Sequence, residues 1–251
     1  MTDLYTLTYK EVSRFLRVWK QTLLPAVITT VLYLAIFWKF IWDRVDVIEW
    51  VNYIDFIFPG LLMMSVILAS YQNTSSSFFG SKFQKSIEEL FVSPINHWKI
   101  LLGFCLWAML RGMIVAGLVF LVGALMTDIS IQNISFALIF VVLTSLLFAL
   151  LWLFNGLYAQ SFDDISVIPT FVITPLTYLG WVFYPIAILW EPWQFISQFN
   201  PILYMVNGLR YSFIWISDIN VYVSLIILII ANMVFVILLL RLLKKWYGIR
   251  T

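Results

Sequence analysis

Very few side chains in this sequence have the types and spacing that catalysis requires. The single histidine, His97, stands beside Trp98 with no second histidine or cysteine to complete a metal-binding or acid–base set, so it reads as a residue of the membrane interface. The one cysteine, Cys105, lies inside an apolar run; it excludes an intrachain disulfide and reads as a small apolar filler. No GxxxxGKS/T phosphate loop, HExxH helix or GxSxG elbow occurs. The sequence therefore points to no catalytic residue, no metal site and no nucleotide site on this chain.

What remains is a set of polar groups embedded in hydrophobic runs, where each is costly enough to mark either function or packing. Tyr71 to Ser77 reads YQNTSSS and makes half of one run polar on every face. Two readings fit: a path for a polar or amphipathic solute, or close helix packing through small residues with interhelical hydrogen bonds. Gln72 and Asn73 favour the path, because amides cost more to bury than hydroxyls. A later run offers Thr170, Thr174, Thr177 and Tyr178 on one face, with Pro169 and Pro175 loosening the helix, and the same two readings apply. Arg111 falls about 18 Å along its helix from Lys99, near mid-bilayer, where insertion costs about 2.5 to 3.5 kcal/mol. It needs a partner or water. Asp163 and Asp164 could pair with it in a structural ion pair, or could instead cap the helix that follows them. Asp55 is the only other acid near a span, which gives proton coupling little to work with.

These groups must be positioned by a membrane. Of 251 residues 63% are hydrophobic and 11% charged, and the mean hydropathy is +0.96, so the fold class is an all-α integral membrane protein. A net charge of +2 gives no case for nucleic acid. About 20 helical residues cross the hydrocarbon, and six runs qualify: 22–42, 56–77, 100–126, 134–157, 167–188 and 221–240. With the N-terminus in the cytosol, eleven of the fifteen Lys and Arg fall inside and three (Lys39, Arg44, Arg210) outside, Arg111 being within a span. Both termini are expected in the cytosol.

Three polar or broken stretches complete the plan. Residues 1–20 hold four basic residues and no continuous apolar core, so no signal peptide is expected; Leu4, Leu7, Val12, Phe15, Leu16 and Trp19 share one arc of an interfacial helix. Gly80 to Lys99 is a cytosolic handle, whose helix over 80–95 carries Phe83, Ile87, Leu90 and Phe91 on one face and Lys82, Lys85, Glu88 and Glu89 elsewhere. Ser93 before Pro94 ends it, and Asn96 caps the next helix. Leu189 to Asn220, on the outer side, is too apolar for a free loop and too broken by Pro192 and Pro201 for a span, so it reads as a re-entrant hairpin. Asn200 and Pro201 supply a helix cap and first position, ahead of an apolar stripe of Leu203, Val206, Leu209 and Phe213. No internal repeat is visible, so one domain spans 1–251.

The pattern resembles the permease subunits of type-2 ABC exporters over essentially the whole chain, most closely YadH-like inner-membrane permeases. The motifs that carry the similarity are FIFPGLLMMSV at 56–66, SSFFGSKFQKSIEELFVSP at 76–94, FDDISVIPTFVITPLTYLGWVFYP at 162–185 and FNPILYMVNGLRY at 199–211. The resemblance implies a homodimer in a bacterial inner membrane, served by two copies of a separate cytosolic ATPase that binds the ATP and Mg. It makes the handle the coupling helix, with Phe83, Ile87, Leu90 and Phe91 as docking knobs and Glu88 and Glu89 as charged contacts. Residues 1–20 become the connecting helix, and spans two and five face the path, with Tyr71, Gln72, Asn73, Thr174, Thr177 and Tyr178 along it. The substrate class it implies is broad: drug-like, saccharide, lipid-linked or otherwise amphipathic. An ion-coupled secondary transporter is the alternative, and it would need buried acids and discontinuous helix pairs.

Overall fold

The computed structural model describes residues 19–41, 51–84, 87, 92, 95–127, 129–185 and 189–245, with the side chains of 19, 21–22, 37–41, 72–77 and 162 outside that description. The described residues are helical and contain no strand. The interfacial helix expected over residues 1–20 lies almost wholly beyond them.

Helix α1 is Trp19–Ile41, α2 is Tyr53–Phe83, α3 is His97–Met126 and α4 is Ile134–Tyr158. Among the described residues four helices are long and apolar enough to cross a membrane: the Tyr53–Tyr71 part of α2, α3, α4, and Val221–Lys244. They coincide with expected spans two, three, four and six. Helix α1 covers most of expected span one, and Leu23–Ile36 is the apolar part of it whose side chains are described.

The expected fifth span takes a different form. Its helix opens five residues early as α5, Phe162–Ile168, passes through a π-helical turn at Pro169–Ile173 and closes as α6, Thr174–Tyr178. Pro169 is the cause, because a proline has no N–H for the i−4 carbonyl and the register slips by one residue around it. Segments of seven, five and five residues give a helix of about 26 Å, short of the hydrocarbon thickness of about 30 Å. Two short helices follow, α7 at Glu191–Gln198 and α8 at Pro201–Ile214, and then α9 at Val221–Lys244.

Helices α2, α3 and α4 pack mutually at the centre; α1 lies on α2 and α3, α9 on α4, and α8 fits between α2, α4 and α9. Close approach is made possible where a side chain is missing. A Cβ on Gly208 of α8 would stand 2.1 Å from the Phe140 ring, and one on Gly112 of α3 within 2.4 Å of the hydroxyls of both Ser70 and Ser145. Phe58, Phe120 and Phe213 meet edge to face toward one end of the bundle, and Phe78 meets Phe104 and Trp152 in the same way toward the other. Ile226, Ile230, Met233 and Ile237 of α9, at helical spacing, remain exposed along one face.

Helix starts follow the sequence. Asn96, Asn133, Asn200 and Asn220 each accept a backbone N–H of the helix they open. The stripe expected behind Asn200 is buried at all four positions, Leu203, Val206, Leu209 and Phe213.

Candidate functional site

The handle begins later than its composition suggests. Helix α2 runs on through Gly80 and Ser81 to Phe83, and the N–H of Gln84 closes it on the carbonyls of Gly80 and Lys82. Lys82 and Phe83 therefore belong to the long helix. The Lys82 ammonium donates to the carbonyls of Leu157 and Ala159, both at 2.8 Å, which are among the carbonyls that the C-terminus of α4 leaves without helical partners. Burial holds its pKa below the ordinary lysine range. Helix α2 ends at Phe83, and of the four expected docking residues Phe83 and Ile87 are described. Phe83 is 68% exposed, whereas Ile87 is 1% exposed and joins the main core. Lys85, Glu88, Glu89, Leu90 and Phe91 lie outside the described residues.

The turn from α4 to α5 faces the same side. Ser161 and Asp164 form a reciprocal capping box, with the Asp164 carboxylate accepting N–H groups from Gln160 at 2.9 Å and Ser161 at 3.0 Å. These bonds hold the carboxyl below the ordinary aspartate range. Asp163 is exposed, and its carbonyl accepts the Ser166 hydroxyl. Of the two readings considered above for these acids, Asp164 takes the capping one, and among the described residues neither acid pairs with Arg111. Arg111 is 2% exposed, and its Nε and Nη1 have no acceptor among the described residues.

Of the residues expected along a path, Tyr71 is fully buried, and its hydroxyl accepts from Asn155 Nδ2 at 2.8 Å. The same amide donates to the Ile165 carbonyl at 3.2 Å. Nothing is described of the Gln72 and Asn73 side chains. Thr174 donates to Pro169 O at 2.8 Å and Thr177 to Thr174 O at 2.6 Å, so both hydroxyl protons are spent on the π turn and the helix behind it. Tyr178 is 45% exposed and stacks on Phe183, their centroids 6.0 Å apart, and Phe183 in turn lies 5.7 Å from the Tyr33 ring.

Tyr33 was missed in the sequence. With Thr29, Thr30, Ser65 and Met64 it lines a cavity of about 180 Å³ between α1 and α2, in which the Thr30 and Ser65 hydroxyls are 3.4 Å apart. The signal was the TTVLY stretch, which puts Thr29 and Tyr33 on one helix face at i and i+4. A second cavity, about 170 Å³, is walled by apolar residues such as Met113, Phe120, Leu138 and Leu209.

A second missed residue is Arg210, counted from sequence as an outer loop charge. It has no exposed surface. Its Nε donates to Phe56 O at 3.3 Å and its Nη2 to Trp181 O; its Nη1 lies 3.5 Å from Asp218, and the guanidinium sits 3.8 Å above the Phe56 ring. Burial lifts the Asp218 carboxyl and Arg210 pulls it back, burial prevailing. One arginine thus joins α8, the start of α2, and the segment after α6, where Trp181 takes a left-handed φ of 59°. The register 203, 206, 210, 213 would have exposed it, since it puts Arg210 within the buried stripe.

Comparison with known proteins places this architecture. Residues 2–214 match the family model described as ABC-2 type transporter. The chain is 43% identical over 242 residues to the inner membrane transport permease YadH of Escherichia coli K12, covering 96% of this chain and 94% of that protein. It is 23% identical over 164 residues to nodulation protein J of Sinorhizobium fredii, covering 65% of this chain and 63% of that one. Nodulation protein J of Rhizobium leguminosarum bv. trifolii is 26% identical over 161 residues, 64% and 62% of the two chains. A membrane-embedded helical chain with this extent of similarity belongs to the ABC-2 type transporter family, as a transport permease.

Proposed function

We propose that this permease is the membrane half of an ATP-driven exporter in a bacterial inner membrane, working as a homodimer on two copies of a separate cytosolic ATPase. The observation that carries the reading is the near full-length similarity to an inner membrane transport permease in a sequence with no phosphate-binding loop of its own. In this reading the energy arrives from another chain, which binds the ATP and Mg. ATP binding closes the ATPase pair, the handle moves with it, and spans two and five rearrange to open a route outward. The substrate is amphipathic, lipid-linked, saccharide or drug-like, and both termini of the permease stay in the cytosol.

The test is purification of the tagged chain from native membranes in mild detergent, followed by mass spectrometry of what remains bound. A near-stoichiometric ATPase that is lost on Phe91→Asp supports the proposal. A chain that keeps its own oligomer but holds no ATPase overturns it, and gradient-driven uptake becomes the next assay.

A further inference from the structure

The inner ends of α2, α4 and α5 are tied together by contacts that the main core does not include. Phe79 of α2, Ala159 of the turn and Ile165 of α5 form a small buried cluster of their own. Above it, Asn155 of α4 holds the Tyr71 hydroxyl with one hydrogen bond and the Ile165 carbonyl with another, linking α2 to α5 through one amide. Beside the cluster, Lys82 grips the Leu157 and Ala159 carbonyls at 2.8 Å while its ammonium lies 5.9 Å from the centre of the Phe79 ring. Tyr71 and Lys82 are about three helical turns apart, so the ties grip both ends of one rigid stretch of α2. The capping box of Ser161 and Asp164 stiffens the turn that leads into α5. Immediately beyond α5 comes the π turn at Pro169–Ile173, where the regular hydrogen-bond ladder is interrupted and a helix bends most readily.

We propose that Lys82 is a positioning residue that fastens the root of the handle to the α4–α5 turn, so that displacement of the handle drags α5 with it and bends span five at the π turn. The proposal rests on the reading of this chain as an ATPase-driven dimeric permease. A lysine suits the task because its ammonium holds two bare carbonyls at a helix C-terminus by charge-assisted bonds, yet its stem packs as an apolar side chain. Methionine would keep the packing and lose the grip.

The experiment uses the full complex with its ATPase in nanodiscs, in a Cys105→Ala background. A single spin label is placed on Ser166→Cys in α5 or on Val92→Cys in the handle, both exposed positions. Pulsed dipolar spectroscopy reads the distance between the two protomers' labels with and without a non-hydrolysable ATP analogue. In Lys82→Met the Val92 label should keep its nucleotide-dependent shift and the ATPase should remain bound, while the shift at Ser166 falls at least twofold; Lys82→Arg should restore it. An undiminished Ser166 shift in Lys82→Met overturns the proposal. Should that variant fail to insert, Tyr71→Phe, which deletes only the hydroxyl held by Asn155, decides the same point: a smaller Ser166 shift supports the linkage and an unchanged one overturns it. Failure of the underlying reading looks different, since the Val92 label in the otherwise native chain would then show no dipolar partner or no response to nucleotide.

Discussion

Arg210→Met tests whether the outer end of the permease is locked by one buried guanidinium. Methionine approximates the stem, so the loss is confined to the charged head. That head has no exposed surface and serves two carbonyls, the Phe56 ring and Asp218. Removing it leaves a mostly buried carboxylate, its side chain 10% exposed, without its counter-charge; breaking a fully buried pair costs about 3 to 5 kcal/mol, which sets the upper range here. At about 2 to 4 °C per kcal/mol for a chain of this size, the melting temperature in detergent should drop by up to about 6 to 20 °C. Asp218→Asn should cost less, because Arg210 keeps both carbonyls and the ring. Combining the two substitutions should recover part of the loss, because no charge is then left stranded. The assay is fluorescence-detected size-exclusion chromatography after a temperature series on all four chains of the double-mutant cycle. If Arg210→Met melts within about 2 °C of the native chain, or the two effects add with a coupling below about 0.5 kcal/mol, the lock does not exist.

Other expectations follow from the same geometry. Gly208→Ala should destabilise the fold by about 1 to 3 kcal/mol, since its new methyl would meet the Phe140 ring, and the same melting assay reads it. Asp164, its carboxyl lowered by the N–H groups of Gln160 and Ser161, stabilises the α4–α5 turn above the ordinary aspartate value of about 3.9 and loses that contribution as the pH falls through the lowered one. Amide hydrogen exchange at residues 160–164 should accelerate in that acid window, and Asp164→Asn should show the acceleration at neutral pH. Alanine at Tyr33 and Tyr178 together should alter the substrate range or rate in a transport assay, whereas Ala at Tyr71 should first lower the melting temperature because that side chain is buried; an unchanged transport profile in the Tyr33 and Tyr178 pair would remove the α1–α2 cleft from the route.

Sequence alone determined what a bilayer enforces residue by residue. Spans two, three, four and six were legible because every backbone group in hydrocarbon must be bonded within its own helix, which turns a long apolar run into a helix with no further information. Helix starts at Asn96 and Asn200 were legible for an equally local reason, a side-chain oxygen within reach of the next N–H groups. Only the tertiary structure decided which polar groups face one another. Lys82 read as a handle residue, but α4 ends beside it; Arg210 read as an outer charge, but Trp181 and Asp218 close around it; and between pairing with Arg111 and capping the next helix, both open to Asp164 from sequence, the fold selects the capping box. These contacts join residues between 3 and 77 positions apart. The longest of them depend on how helices pack across the bundle, and neither periodicity nor composition records that packing.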